Sequence, residues 1–517
     1  MNKHDIAIVG LGPVGCTAAV LFAEAGLNVI VFERDEEVYR LPRAVNLDGE
    51  VIRAFQKSGR GQTVQDMMQA VRPGDRAGFA NSGREWLFGQ EMREFGSNGW
   101  QPMNMFDQPE LETWLRSEAV NHPGVDAHIS CEVTGLTNGD DGVAIDYHNL
   151  ASGESASAAA AYTVACDGAS SPTRRAFGIG WTDLGYDHDW LVVDVITRQG
   201  HTLGNDTVQV CDPDRIQTYV CTKDPYRRWE FKLKPGETVE EMLDKETVQS
   251  LIDPWTPRNT YDIRRTAVYQ FHAATADRWR EGRIFIAGDA AHQTPPFLGQ
   301  GMNAGMRDII NLAWKFPLVL NRVADDSLLD TYHAERNAHA HDLVDWAVSI
   351  GRLMDHLAEV ERCQRDSLPR PPEQPELRSS GYGQGREQPP IRDGAVILEQ
   401  VSNTGSTGYL FSQPIVRDTD GREIRLDELL GPGFAIVAKT RAELDMTDES
   451  RGIMDRLGTR LVSLEGLTPV KGHFDRLFDE HATALVRPDR LVFGHTTGSL
   501  SLDNIINQLA QKLALTN

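Results

Sequence analysis

Apolar runs too short for membrane spans, each cut off by glycine, divide this chain into strands and helices. Asp5-Ile6-Ala7-Ile8-Val9 is a near-continuous hydrophobic stretch of the kind that forms a strand buried on both faces. It stops at Gly10-Leu11-Gly12-Pro13-Val14-Gly15, and a helical pattern runs on to Ala25 and breaks at Gly26. Asn28-Val29-Ile30-Val31-Phe32 predicts a second strand, ending in Glu33. A third apolar run ends at Val164-Ala165-Cys166-Asp167-Gly168, just before Arg174 and Arg175, and a fourth, Ile284 to Ala287, ends at Gly288-Asp289. After that comes a loop rich in Ala, Pro and Gly, then Gly299-Gln300-Gly301-Met302-Asn303, then a helical stretch through Met306 to Phe316.

The first block is a βαβ unit with a Gly-x-Gly-x-x-Gly turn in its proper context. Gly10 permits the tight turn, Gly12 lets the backbone approach a pyrophosphate, and Gly15 allows close helix–strand packing. Pro13 suits the first helical turn, where a missing N–H costs nothing. Glu33, 23 residues after Gly10, is placed to bind the ribose hydroxyls of an adenosine. This unit alone does not separate FAD from NAD. The Arg283–Asn303 segment does: a strand end offering the Asp289 carboxylate suits a ribityl chain. A Gly-rich helix entry offers N–H groups and a helix dipole to the electron-rich edge of a flavin. No second Gly-x-Gly-x-x-Gly follows a strand. Gly381, Gly383 and Gly385 have the wrong spacing. One resident FAD is expected, and NADH or NADPH would visit without a domain of its own.

Between the flavin segments, Val192–Ile196, Thr207–Val210, Gln217–Val220 and Arg228–Leu233 read as strands of an antiparallel sheet. Residues 364–392 carry Pro369, Pro371, Pro372, Pro375, Pro389 and Pro390 among charges and glycines, a linker composition. Beyond it, Phe434–Ala438, Leu461–Leu464 and Ala484–Phe493 read as strands. A last helix sets Leu502, Ile505, Ile506, Leu509 and Leu513 on one face. The expected partition is 1–175 (flavin domain, first part), 176–275 (substrate sheet), 276–363 (flavin domain, second part), 364–392 (linker) and 393–517 (C-terminal domain).

Charge narrows the partners. A formal net charge of -23 over 517 residues argues against nucleic acid and anionic membrane surfaces. No stretch approaches the ~20 apolar residues of a membrane span, and a strand beginning at Asp5 leaves no room for a signal peptide. Six scattered cysteines, without CxxC or metal spacing, fit a reducing cytoplasm; no metal is expected.

The three flavin motifs, in this order and spacing, resemble those of the single-component flavoprotein aromatic hydroxylases. Several segments resemble in particular the hydroxylases of 3-(3-hydroxyphenyl)propionate. They are Leu41-Pro42-Arg43-Ala44 with Leu47-Asp48, Gly99-Trp100 with Gln108-Pro109-Glu110-Leu111, Trp190 to Asp194, Cys211-Asp212-Pro213, Arg227 to Phe231, Pro235 to Thr238, and Gly301 to Asp308. The resemblance implies an α/β chain: a Rossmann-type FAD-binding domain, an inserted antiparallel β-sheet over the flavin ring, and a C-terminal thioredoxin-like domain. No cysteine follows Cys363, which excludes disulfide chemistry in that last domain and leaves packing or homodimer formation.

The implied reaction uses NAD(P)H and O2 to form a flavin C4a-hydroperoxide that delivers one oxygen atom to a phenolic ring. Carried onto this chain, Glu33 binds ribose and Arg43 the phosphate region. Gln108 and Asp167 contact FAD, Asp289 takes the ribityl chain, and the backbone of Gly299, Gly301, Met302 and Asn303 holds the ring system. Pro296 presents its carbonyl to the substrate, and Tyr219 and Phe231 are candidates for the pocket wall. Where the phenol hydroxylase pattern has an activating carboxylate this chain has Val45; Asp48 is the nearby acid and Tyr269 a partner for a substrate hydroxyl. His272 and His292 are read as structural. Arg215 or Arg227 is a cation for an arylpropionate tail. A hydroxylase of a polyketide or antibiotic ring and a non-catalytic flavin-binding protein remain alternatives; a flavin halogenase is disfavoured, because no WxWxIP segment occurs.

Overall fold

The computed structural model of the chain describes residues 4–371 and 388–516. The greater part of the expected linker, with Pro372, Pro375 and the Gly381–Gly385 run, lies outside the described residues.

The N-terminal βαβ unit forms as the pattern predicts: strand His4–Val9, helix Pro13–Glu24, strand Val29–Glu33. His4–Val9 lies in the middle of a largely parallel sheet, between Val29–Glu33 and Ser155–Ala165, and the latter pairs in turn with Ile284–Ile286. Register decides what this does. Val9 stands beside Phe32 on one side and Ala165 on the other, and Ala165 beside Ile286. The Gly10 turn, the Cys166–Gly168 turn and the Ala287–Asp289 turn therefore leave the sheet at the same carboxyl edge, where ligands bind in open α/β sheets. Helices Pro13–Glu24 and Gly301–Leu320 start from that edge and pack together through a hydrophobic core that includes Phe22, Met306, Ile309 and Phe316.

A second sheet faces this edge. It runs His292–Gln293, Tyr261–Ala276, Trp181–Thr197, Tyr226–Lys232, Gln217–Cys221, Thr207–Val210, Arg76–Ala80, Trp86–Glu91. Five of its strands come wholly or mainly from the expected insert at 176–275. The Arg76–Ala80 and Trp86–Glu91 hairpin comes from the segment assigned to the flavin domain, and Thr207–Val210 pairs with it in parallel. The expected boundary at 175 thus does not separate the two sheets. One face of this sheet is apolar, with Leu191, Val193, Tyr219, Trp229 and Phe231 packed on Met242, Val248 and Ile252. The other face looks toward the flavin motifs.

The C-terminal unit holds a four-stranded mixed sheet, Arg460–Ser463, Ala435–Ala438, Thr483–Val486, Val492–His495, with helix Leu502–Lys512 packed on it through Leu502, Ile505, Ile506 and Leu509. Two buried ionic clusters tie it to the rest of the chain. Arg53 donates to both carboxylate oxygens of Asp427 at 2.8 and 2.7 Å, and Arg490 adds a third bond at 3.0 Å. Arg487 donates to Glu335 at 2.7 Å, while Trp314 donates to Asp489 at 3.1 Å. Burial works against the Asp427 carboxylate, yet the pull of Arg490 and Arg53 together holds its pKa below the ordinary value.

Candidate active site

A cavity of about 800 Å³ lies between the carboxyl edge of the parallel sheet and the facing sheet. Gly12, Pro13, Cys166, Gly168, Gly288, Asp289 and the Gly299–Met302 turn form one wall. Val192, Gln209, Thr218, Val220, Arg228, Glu230, Arg265, Tyr269 and Phe271 form the other, with Phe79, Phe88, Trp346 and Ile350 closing the apolar sides.

The nucleotide wall is shaped by what it lacks. A Cβ on Gly12 or Gly301 would meet no heavy atom within 4 Å, so the backbone there is bare to the cavity. At Gly10, with φ +93°, a Cβ would lie 2.6 Å from the Cys166 carbonyl oxygen; at Gly15 it would lie 1.9 Å from the Gly10 carbonyl oxygen. The first and third glycines therefore serve close packing and the second serves close approach by a ligand. Glu33, at the end of its strand, accepts from the Leu11 N–H at 2.6 Å and the Asp35 N–H at 2.8 Å. Asp289 is exposed to the cavity. One Asp167 oxygen accepts from the Thr173 N–H at 2.9 Å; the other is buried without a partner among the described residues, behind Cys166 and Gly168, which line the cavity. Gly299 turns with φ +62° into the helix Gly301–Leu320, aiming that helix's free N–H groups at the cavity.

The side chains of Gln108 and Asn303 are engaged within the protein. Gln108 lines the cavity, but its carbonyl oxygen accepts from the Arg43 and Ala44 N–H groups, both at 2.7 Å, and its amide donates to Glu112 at 3.0 Å. Asn303 is fully buried, its oxygen accepting from the Asp48 N–H at 2.9 Å and its amide donating to the Asn46 and Gly299 carbonyls at 3.0 and 2.8 Å. Both side chains fix the loops that carry the site. Arg43 itself lines the cavity on its loop. That loop is bolted to the facing sheet by Arg228, which donates to the Arg43 and Pro42 carbonyls at 2.7 and 2.8 Å.

On the sheet wall the structure corrects several expectations. Tyr219 and Phe231 point away from the cavity into the sheet's other core, the Tyr219 hydroxyl donating to the Gly204 carbonyl at 2.7 Å. Their neighbours Thr218 and Glu230 face the cavity instead, because strand side chains alternate. The same parity removes Arg227, whose guanidinium pairs with Asp224 at 2.8 Å, and places Arg228 in the wall. Arg215 is held by Glu237 and lies outside the cavity wall. Asp48 is also outside: it is buried, ion-paired with Arg307 and bonded by Gln300 at 3.1 Å, and burial raises its pKa against the pull of Arg307. It serves as a tie between the Gly299–Gly301 turn and the strand Asn46–Asp48. His292 is buried against Asp308 at 2.9 Å, and His272 pairs with Asp187 at 2.6 Å; neither lines the cavity.

Pro296 and Tyr269 do line the cavity. The Tyr269 oxygen accepts from Arg265, whose guanidinium also lies 4.9 Å from the Tyr269 ring centroid, so the phenol keeps its own proton to donate. Arg228 and Arg265 both reach Asp194, Arg228 through two bonds at 2.7 and 3.1 Å and Arg265 at 3.5 Å. Glu230 was missed in the sequence. It is buried, with no hydrogen bond from any donor among the described residues, and Arg228 lies 3.9 Å away. Burial pushes its carboxyl up to about 7, with Arg228 opposing. The signal that could have found it is polar alternation in Arg228-Trp229-Glu230-Phe231: a charged residue at every second place in a strand that is otherwise core.

A nucleotide cradle with bare glycine backbone, the Asp289 carboxylate and a helix N-terminus, opening on a sheltered cavity, defines a flavoprotein oxidoreductase, and the residues fit FAD. Residues 3–347 match the family described as FAD binding domain, and residues 408–512 match the HcaD C-terminal domain. The chain belongs to the single-component FAD-dependent aromatic hydroxylases. It is 32% identical over 529 positions to the 3-(3-hydroxy-phenyl)propionate/3-hydroxycinnamic acid hydroxylase of Burkholderia cenocepacia, covering 96% of this chain and 94% of that one. To the enzyme of the same name from Escherichia coli it is 30% identical, covering 100% and 96%. In fold it is similar to aklavinone-11 hydroxylase with FAD and aklavinone, with a TM-score of 0.80, 23% identity and 99% of each chain covered. The protein is an FAD-dependent aromatic monooxygenase, with NAD(P)H and O2 as the class requires. Among the described residues no helix is long and apolar enough to cross a membrane, and no group of three or more His, Cys, Asp or Glu could hold a metal ion.

Proposed function

We propose that this chain hydroxylates a phenolic ring bearing a short side chain, of the 3-(3-hydroxyphenyl)propionate kind named for its relatives. The observation that carries the reading is the single cavity with flavin motifs on one wall and an aromatic-flanked sheet on the other. FAD, when bound, supplies reductive activation of O2 and transfer of one oxygen atom. The chain's own groups position and shelter it. Glu33 takes the adenosine ribose, Arg43 the phosphates, Asp289 and Asp167 the hydroxyls and polar edge, and the Gly299–Met302 N–H groups the electron-rich side of the ring. The Pro296 carbonyl and the Phe79, Phe271 and Trp346 side chains hold the substrate ring and keep water out.

One observation favours a second reading, a larger neutral ring of the polyketide type. Arg228 and Arg265 already bracket Asp194, so the sheet wall offers a substrate carboxylate no unpaired cation. We read the C-terminal unit as thioredoxin-like, serving packing or homodimer formation, its mixed four-stranded sheet supporting that reading; a cytoplasmic setting suits six free cysteines. The test is NADH or NADPH oxidation by the FAD-loaded protein with 3-(3-hydroxyphenyl)propionate, 3-hydroxycinnamate and neutral phenols of increasing size. Faster oxidation with formation of the catechol supports the first reading, and selectivity for large neutral rings the second. Oxidation that yields only hydrogen peroxide with every phenol refutes both.

A further inference from the structure

Resting on the hydroxylase reading, we propose that Glu230 is the catalytic base that takes the proton from the substrate's phenolic hydroxyl. Its place in the sheet is the first reason. Val192, Glu230, Thr218, Gln209 and Phe79 stand side by side on five neighbouring strands, one row across the cavity wall. In that row the neutral polar groups are already engaged with each other: Thr218 donates its only hydroxyl proton to Gln209, whose amide lies 3.5 Å from the Phe297 carbonyl. Glu230 is left as a carboxylate that lines the cavity with nothing among the described residues donating to it. A buried carboxylate with empty acceptor positions is costly unless a ligand supplies the donor.

The other ionisable groups do not compete for this task. Arg228 on the same strand and Arg265 on Tyr261–Ala276 are committed to Asp194 between them and to the Pro42 carbonyl. Tyr269 faces the cavity as a donor, because its oxygen accepts from Arg265. Arg43, Cys166 and Asp289 belong to the nucleotide wall, and burial drives the Cys166 thiol well above its usual value. Glu230, raised to about 7 by burial, can hold or release a proton at neutral pH.

The proton balance is simple. The substrate O–H bond breaks as a new O–H bond forms on Glu230, and the electron pair left on oxygen enriches the ortho and para ring carbons. After oxygen is delivered to such a carbon, that carbon's hydrogen leaves as a proton to solvent, and its bonding pair restores the aromatic ring. Glu230 returns its own proton to the original oxygen, restoring the aromatic diol.

The experiment compares wild type with Glu230→Gln and Glu230→Asp, all FAD-loaded, using the best phenol of the panel and 4-nitrophenol as a spectroscopic probe of ionisation. Wild-type kcat/KM is expected to fall as pH drops through about 7. Glu230→Gln should lose that limb and hydroxylate roughly 100-fold or more slowly, while keeping FAD and its reduction by NAD(P)H; Glu230→Asp should recover part of the rate. Bound 4-nitrophenol should titrate jointly with Glu230 in wild type, over a range displaced from that in Glu230→Gln. Equal rates and equal titrations in the two proteins overturn the role while leaving the hydroxylase reading intact. A wild type that makes no diol from any phenol overturns both. Should Glu230→Gln fail to fold, the wild-type titration decides: a bound probe that ionises as it does free in solution refutes the assignment.

Discussion

Alanine placed at the second and at the third glycine of the nucleotide turn should do two different things, and the difference can be worked out before any ligand is added. At Gly15 the new Cβ would sit 1.9 Å from the Gly10 carbonyl oxygen and 3.0 Å from its carbon. An ordinary carbon–oxygen approach is about 3.3 Å, so the start of helix Pro13–Glu24 must move by about 1.4 Å away from the strand end. The obstacle is backbone, which cannot rotate aside, so the cost falls at or above the upper end of the usual overpacking range, about 3 kcal/mol. At Gly12 the Cβ meets nothing within 4 Å, and its φ of -72° with ψ of -173° is open to any residue. Gly12→Ala should therefore fold as wild type when free of cofactor. Yet its methyl group occupies the space through which a pyrophosphate reaches the helix N-terminus. Loss of that approach forfeits up to about 2 kcal/mol, roughly 30-fold in Kd. Thermal melts of the apoproteins with FAD titrations by flavin fluorescence separate the two. Gly15→Ala should melt roughly 3 °C or more below wild type and bind FAD poorly; Gly12→Ala should melt with wild type and bind FAD about 30-fold less tightly. An apo melt of Gly15→Ala that matches wild type, or an unchanged Kd for Gly12→Ala, would refute the assignment of packing to one glycine and ligand access to the other.

Three further changes probe the rest of the arrangement. Tyr219→Phe removes the hydroxyl bonded to Gly204 and should cost about 1 kcal/mol of stability with KM for the phenol unchanged, since Tyr219 faces away from the cavity; a large rise in KM would contradict that orientation. Asp427→Asn leaves Arg53 and Arg490 buried without their carboxylate, and should destabilise the protein by about 3–5 kcal/mol in chemical denaturation; a change under about 1 kcal/mol would show that the cluster does not hold the C-terminal unit in place. Arg227→Ala should leave hydroxylation rates within about twofold, whereas Arg228→Ala should lower both FAD affinity and rate, because of the two only Arg228 reaches the Arg43 loop, where it shares the Pro42 carbonyl with Arg265; equal effects on activity would argue against the parity of this strand.

How much of this was legible in the sequence depends on how local the governing constraint is. The three strand-end turns were readable because each demands something of its own residues: positive φ or close approach at Gly10 and Gly15, and a left-handed turn at Gly299 with φ +62°. That they converge on one edge follows from parallel pairing, which the βαβ pattern implied for the first two strands and the folded chain extends to the other two. The hairpin Arg76–Glu91 escaped notice because it joins its sheet through a parallel contact with Thr207–Val210, more than a hundred residues away. Asp48 was attractive as an acid in the right neighbourhood, but its partner Arg307 lies on a distant helix, and only the folded chain shows the pair.

The sheet wall shows why pocket residues are harder to read than cofactor turns. Both faces of the strand Tyr226–Lys232 are buried, so hydrophobicity alone does not say which face is core and which is cavity. Aromatic side chains look like substrate contacts, yet a closed core pays for their large apolar area more fully than a cavity that must stay open for a ligand. Tyr219, Trp229 and Phe231 accordingly turn inward, onto Met242, Val248 and Ile252. What remains for the open face is the polar alternate set, Thr218, Arg228 and Glu230. A buried polar side chain persists in a strand only if something satisfies it. Arg228 finds Asp194 and two loop carbonyls, and Thr218 finds Gln209. Glu230 finds no donor among the described residues, and that unsatisfied carboxylate is the feature on which the proposed place of the substrate hydroxyl rests.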